Sequence, residues 1–168
     1  AIQELGLGSS SDVNGKLELG NLLLVATGPD RYLAKTPGED FLRMEKAAAA
    51  FGIPIPLNDA YRDIDEQQSL FDWDLYVATG GNRSDASRNK NAKSKKRGSK
   101  GSVAVAFPGT SNHGLGKAID VNGAKAQNWI KKNGFKFGWS WEEGKRNNEN
   151  WHFTWYPSTA KYYLQDFT

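Results

Sequence analysis

The chain contains two histidines, His113 and His152, and no cysteine. Any metal it binds must therefore be held by imidazole and carboxylate groups, and disulfides and thiol catalysis are excluded together. His113-x6-Asp120 spans a turn and a strand, and Gly114 and Gly116 between them let the backbone bend so that both side chains converge. Two imidazoles and one carboxylate, with a fourth position left to water, form a catalytic zinc set. Glu149 precedes His152 by three residues and is placed to take a proton from water activated by such an ion. On a strand Glu149 and His152 would face opposite sides, so a bend or bulge near Asn150 is required. Spacing alone leaves a blander reading open: two structural or surface histidines, an Asp120 that ends a strand at the Asn122-Gly123 turn, and a solvated Glu149.

The surrounding residues carry more. Ser111-Asn112-His113-Gly114-Leu115-Gly116-Lys117-Ala118-Ile119-Asp120 fits S-x-H-x-x-G-x-A-x-D, and Glu149-Asn150-Trp151-His152 fits E-x-W-H. Upstream, Ala60-Tyr61-Arg62-Asp63 followed by Gln67 is similar to G-Y-R-S-x-x-x-Q, departing from it at Ala60 and Asp63. In this order, over residues 36 to 156, the segments resemble the D-alanyl-D-alanine carboxypeptidase family of zinc peptidases. That group includes the vancomycin-resistance dipeptidases and carboxypeptidases and several bacteriophage L-alanyl-D-glutamate endolysins. The resemblance implies one Zn2+ held by His113, Asp120 and His152, with Glu149 as general base. It implies Arg62 as the cation that stabilises the tetrahedral oxyanion, a role suited to its fixed charge and several donors. It further implies substrate-binding or bracing roles for Ser111 and Gln67, and a place beside the zinc for Trp151. The acidic pair Asp59 and Asp63 around Arg62 could hold that arginine differently, and Asp63 can still cap a helix.

The implied substrate is the stem peptide of bacterial peptidoglycan, and the bond within it is open. No secretory leader or membrane anchor is visible, and the catalytic unit is compact; both favour a phage endolysin or virion-associated lysin cutting an L-Ala–D-Glu or cross-bridge bond. The alternatives are a D-Ala-D-Ala carboxypeptidase of bacterial cell-wall metabolism and a catalytically silent zinc-containing wall-binding module. Glu149 and Arg62 speak against the silent module, since a purely structural zinc needs neither. The expected site of action is the cell wall, in a periplasmic, extracellular or virion-associated setting.

At 168 residues, 38% hydrophobic and 24% charged, the chain suits one ordered domain. Apolar runs such as LLLVA at 22–26 are far too short to cross a bilayer. The net charge of +3 conceals an asymmetry: from Arg83 to Lys100 eight basic residues meet one acid, Asp85, so the rest of the chain is net negative. This Gly-, Ser- and Asn-rich stretch, 79–102, reads as a flexible basic loop. It would draw the protein to anionic envelope polymers. It lacks the interleaved aromatics of a nucleic-acid platform.

The elements that must position these residues follow from local signals. Residues 1–35 read as a lead-in to the same domain, its first dozen residues rich in Gly and Ser, and 36–168 as the catalytic domain. Thr36-Pro37-Gly38-Glu39 looks like a capping box opening a helix, with Phe41, Leu42, Met44, Ala48 and Phe51 as its apolar face and Gly52 as its stop. A short strand ends at Ala60-Tyr61-Arg62, and a second helix starts at Asp63 and runs through Leu75. Val103–Phe107 has strand character, Lys125–Lys132 reads as a helix, and 134–156 reads as two strands around a polar turn. The fold class is α+β: a small antiparallel sheet flanked by helices, which the resemblance makes Hedgehog/DD-peptidase-like.

Overall fold

The computed structural model describes residues 13–71 and 109–156, together with the backbone of 93–95 and 104–106. Expectations for residues 1–12, for Leu75 and for most of the basic stretch lie outside the described residues.

A β-hairpin opens the fold, with β1 (Leu22–Ala26) antiparallel to β2 (Arg31–Ala34). It buries Val25 and Leu33, in a stretch where the sequence offered no element. Strand β2 runs directly into α1 (Lys35–Ala49), so the helix begins before Thr36. Its N-cap is Ala34, which makes no side-chain cap bond, and the expected capping box is not formed. Strand geometry sets the start instead: the Ala34 N–H donates to the Gly116 carbonyl at 2.9 Å. Pro37 then falls within the first turn, where its missing N–H is not needed.

Phe41, Met44 and Ala48 form the buried stripe of α1, each 0% exposed. Leu42 and Phe51, expected on that face, are exposed at 37% and 74%. Leu42 is turned about 100° from Phe41 around the helix, and Phe51 lies beyond its last turn. Gly52 closes the end at φ +72°, while the Ile53 N–H reaches back to the Ala48 carbonyl.

The central sheet has the order β3-β6-β8-β7, all antiparallel. Its strands are β3 (Leu57–Asp59), β6 (Ala118–Val121), β7 (Trp139–Ser140) and β8 (His152–Trp155). In β6 and β8, Ile119 and Phe153 are paired and fully buried. Alternation therefore turns their neighbours, the paired Asp120 and His152, to the opposite face. On the core side, Phe41 meets Trp139 edge to face, with ring centroids 6.4 Å apart. Buried Asp40 of α1 accepts from the Trp155 indole N–H at 2.7 Å and pairs with Arg43, tying the end of β8 to α1.

Helix α2 (Ile64–Leu70) starts at Asp63 as expected, with the Asp63 carboxylate accepting from the Glu66 N–H at 2.8 Å. It ends at Leu70, short of the expected reach, because Phe71 turns extended and is buried. Helix α3 (Ala124–Asn133) matches its expectation and buries Ala126 and Ile130. The segment expected as two strands around a polar turn contains more: a 3-10 turn at Gly134–Phe137 and a short helix, α4 (Glu142–Arg146), between β7 and β8. Helix α4 places Glu142 and Glu143 in its first turn and Lys145 and Arg146 in its last, complementing the helix dipole. Five residues are too few to leave a periodic signal.

Within the basic stretch, Lys93–Lys95 forms β4, paired antiparallel with β5 (Ala104–Ala106). An all-loop reading is therefore corrected at those three residues, whose order comes from backbone pairing rather than from an apolar period. The α+β architecture, a small antiparallel sheet flanked by helices, holds.

Candidate metal centre

His113, Asp120 and His152 converge, with one ligand-type atom from each lying within 4.8 Å of the others. Three separate elements supply them. Asp120 and His152 face each other across the β6–β8 pair. His113 comes from a 3-10 turn (Asn112–Leu115) capped by Ser111, whose hydroxyl accepts from the His113 N–H at 3.2 Å. Gly116 ends that turn at φ +69°, with its backbone pressed against Ala34. A side chain there would meet the Ala34 nitrogen at 2.6 Å. The turn is also held from the N-terminal side: the Gly15 N–H donates to the Gly114 carbonyl, and Asn14 donates to the Ser111 carbonyl at 2.7 Å.

Both histidine-to-carboxylate spacings suit zinc. Asp120 Oδ1 lies 3.2 Å from His113 Nε2 and 3.2 Å from His152 Nδ1. A tetrahedron with zinc–ligand bonds near 2.0–2.1 Å has edges of about 3.3 Å. The other ring nitrogen of each histidine is engaged. His113 Nδ1 lies 2.7 Å from the Ala60 carbonyl, so it donates there and leaves Nε2 to a cation. His152 Nε2 faces Thr154 Oγ1 at 3.2 Å and Glu143 Oε1 at 3.6 Å.

Electrostatics reflect this crowding. Burial opposes ionisation of Asp120, but the charges and hydrogen bonds of His113 and His152 outweigh it and hold the carboxyl well below the usual range. Burial likewise opposes charging of His152, yet Asp120 and Glu143 raise its pKa to about 9. Glu143 is lowered to about 2, chiefly by His152, with burial opposing and Thr154 and Asn112 adding donors. Glu149 is shifted the other way. Burial raises it, with His152 pulling it down and Asp120 pushing it up.

Glu149 lies outside β8. The left-handed Asn148 (φ 58°) turns the chain before it, and the His152 N–H reaches back to the Glu149 carbonyl at 3.4 Å. The bend required by the sequence is present, two residues before Asn150. It brings Glu149 Oε2 to 4.0 Å from His152 Nδ1. Gly144 of α4 packs beneath, where an added Cβ would lie 2.4 Å from the His152 carbonyl oxygen.

Arg62 reaches the same place, its Nη2 3.8 Å from Asp120 Oδ2. Asp59 accepts from its Nε at 2.9 Å and Gln67 from its Nη1 at 2.7 Å, while the Arg62 N–H donates to the His113 carbonyl. Asp59 thus holds the arginine, and Asp63 is spent on capping α2. Ser111 and Gln67 are seen bracing the His113 turn and Arg62 respectively. Trp151 is half-buried, its carbonyl accepting from the Val121 N–H at 2.9 Å.

Sequence reasoning missed Glu143, Asn112 and Thr154. Asn112 donates to Glu143 Oε2 at 2.6 Å and Thr154 at 3.1 Å. Nothing local marks Glu143, which falls in the segment read as two strands around a polar turn. Thr154, two residues after His152 on a strand, was open to detection by same-face alternation.

Residues 30–158 match the VanY family, described as D-alanyl-D-alanine carboxypeptidase. The chain belongs to this family of cell-wall peptidases. No curated protein matches it. Among solved structures it is similar to vancomycin resistance D,D-pentapeptidase VanY from the VanB-type cassette, a mutant in complex with Zn(II). Identity to that protein is 21%, TM-score 0.58, with 95% of this chain and 92% of that chain covered. The LdcB LD-carboxypeptidase gives 20% identity and a TM-score of 0.58 over 92% and 80% of the two chains. The D,D-dipeptidase VanXYg, in complex with a D-Ala-D-Ala phosphinate analog, gives 18% and 0.55 over 99% and 70%. These likenesses establish the shared fold.

Proposed function

We propose that this protein is a zinc-dependent peptidase of peptidoglycan stem peptides, with the metal held by His113, Asp120 and His152. The convergence of the chain's two histidines on Asp120, at donor spacings that suit a tetrahedral ion, carries the reading. The VanY neighbour described with Zn(II) supports the choice of metal. When bound, zinc supplies Lewis acidity that polarises the scissile carbonyl and makes water easier to deprotonate. Glu149 takes the proton from the attacking water and passes it to the leaving amine. Its burial-raised pKa makes it the stronger base for this step. Arg62, oriented by Asp59 and Gln67, directs its remaining N–H groups at the oxyanion.

Release of a terminal D-Ala is the bond supported best, by the family description and by the VanYB structure described with D-alanine-D-alanine. The second reading is an endolysin or virion-associated lysin cutting L-Ala–D-Glu or a cross-bridge. The basic stretch 83–100 favours it, as a means of holding the enzyme on an anionic wall. Either way the protein acts at the cell wall. Mass analysis of digested peptidoglycan decides between the two: free D-Ala supports the first, and a new N-terminal D-Glu or conversion of cross-linked muropeptides to monomers the second. Intact peptidoglycan after digestion with zinc-loaded protein would remove both.

A further inference from the structure

Glu143 stands on α4, which packs against β8, and it touches the surroundings of both histidines. Its Oε2 accepts from Asn112, next to His113, at 2.6 Å and from the Thr154 hydroxyl at 3.1 Å. Thr154 is 0% exposed, and its oxygen lies 3.2 Å from His152 Nε2. A hydroxyl has one proton to donate, and an ionised carboxylate can only accept. With the Thr154 proton directed to Glu143, the Thr154 oxygen is left to accept, and the hydrogen of that contact must sit on His152 Nε2. The nitrogen presented to Asp120 Oδ1, at 3.2 Å, is then Nδ1, whose lone pair can bind a cation.

Resting on the metal-centre reading above, we propose that Glu143 is a positioning residue: through Thr154 it sets the ring tautomer of His152, and through Asn112 it ties the His113 turn to β8. A carboxylate that merely glued α4 to its neighbours would affect stability alone. A tautomer relay affects how tightly the metal is held, even in a fully folded protein.

The test uses the full chain stripped with a chelator and reloaded with zinc. Thr154→Val removes the hydroxyl at nearly constant shape, Thr154→Ser keeps it, and Glu143→Gln replaces the pure acceptor. Zinc affinity is read by competition with a chromophoric chelator, folding by thermal melting, and the His152 tautomer by 15N NMR of the imidazole. Thr154→Val and Glu143→Gln are expected to bind zinc about tenfold more weakly or worse, while Thr154→Ser stays within about twofold of the parent. The parent's His152 should carry its hydrogen on Nε2 in the zinc form. Affinities within about twofold of the parent for both disruptive variants, or a hydrogen on Nδ1, would overturn the relay. Should Thr154→Val fail to fold, Glu143→Gln decides by itself. Parent protein that binds zinc no better than His113→Ala would instead remove the metal centre, and the relay with it.

Discussion

Asp120, Glu143, Glu149 and Thr154 all approach the His152 ring, and this environment makes metal uptake pH-dependent. Asp120 and Glu143 raise its pKa to about 9, so at neutral pH the ring of zinc-stripped protein is protonated and must lose a proton before Nδ1 can bind. Zinc binding at pH 7 should therefore release a proton, and apparent affinity should rise about tenfold per pH unit from 7 until it levels near 9. Calorimetric titration in buffers of different ionisation enthalpy measures this directly; uptake with no proton released would contradict it. Glu149 and Arg62 should behave differently from the ligands. Glu149→Gln is expected to lower kcat by about 10²–10⁴-fold with zinc content unchanged. For Arg62→Ala the expected loss is about 10²–10³-fold, the scale set by removing one oxyanion donor. Metal analysis alongside kinetics separates both from His113→Ala, which should lose the metal itself.

At the level of elements, two contacts away from the ligands hold the site in register. Asp40 anchors β8 through the Trp155 indole, three residues beyond His152. Asp40→Ala strands a buried N–H and should cost about 2–3 kcal/mol, measurable by urea denaturation. Gly144 allows α4 to lie against the turn that carries Glu149 and His152. In Gly144→Ala the new methyl group meets the His152 and Glu149 carbonyls, so zinc affinity should fall along with about 1–3 kcal/mol of stability. Parent-like zinc affinity in that variant would mean that α4 does not set the ligand positions.

For the molecule as a whole, a cation binding groups from a turn, β6 and β8 links segments far apart in sequence. Zinc at a hundredfold excess over Kd should stabilise the fold by about 2.7 kcal/mol. For a chain of this size that raises Tm by about 5–10 °C over chelator-treated protein. Among the described residues no helix is long and apolar enough to cross a membrane.

The sequence by itself singled out His113, Asp120 and His152 as the candidate triad, and the fold brings the three together. Only two histidines exist, cysteine is absent, and both histidines stand in short motifs whose chemistry is local. It also determined the α2 cap at Asp63, the α3 helix and the need for a bend before His152, because caps, periodicity and strand alternation act over a few residues. Only the tertiary structure decided the rest. Helix α1 starts at Lys35 because β2 feeds into it, not because Thr36 could cap it. Asp59, rather than Asp63, holds Arg62 because β3 pairs with β6 and sets Asp59 beside Asp120. The grouping of Glu143 with Thr154 and Asn112 arises from α4 folding back onto β8 and the His113 turn. Contacts made between elements distant in sequence have no local signature, and these are the contacts that orient the two imidazoles.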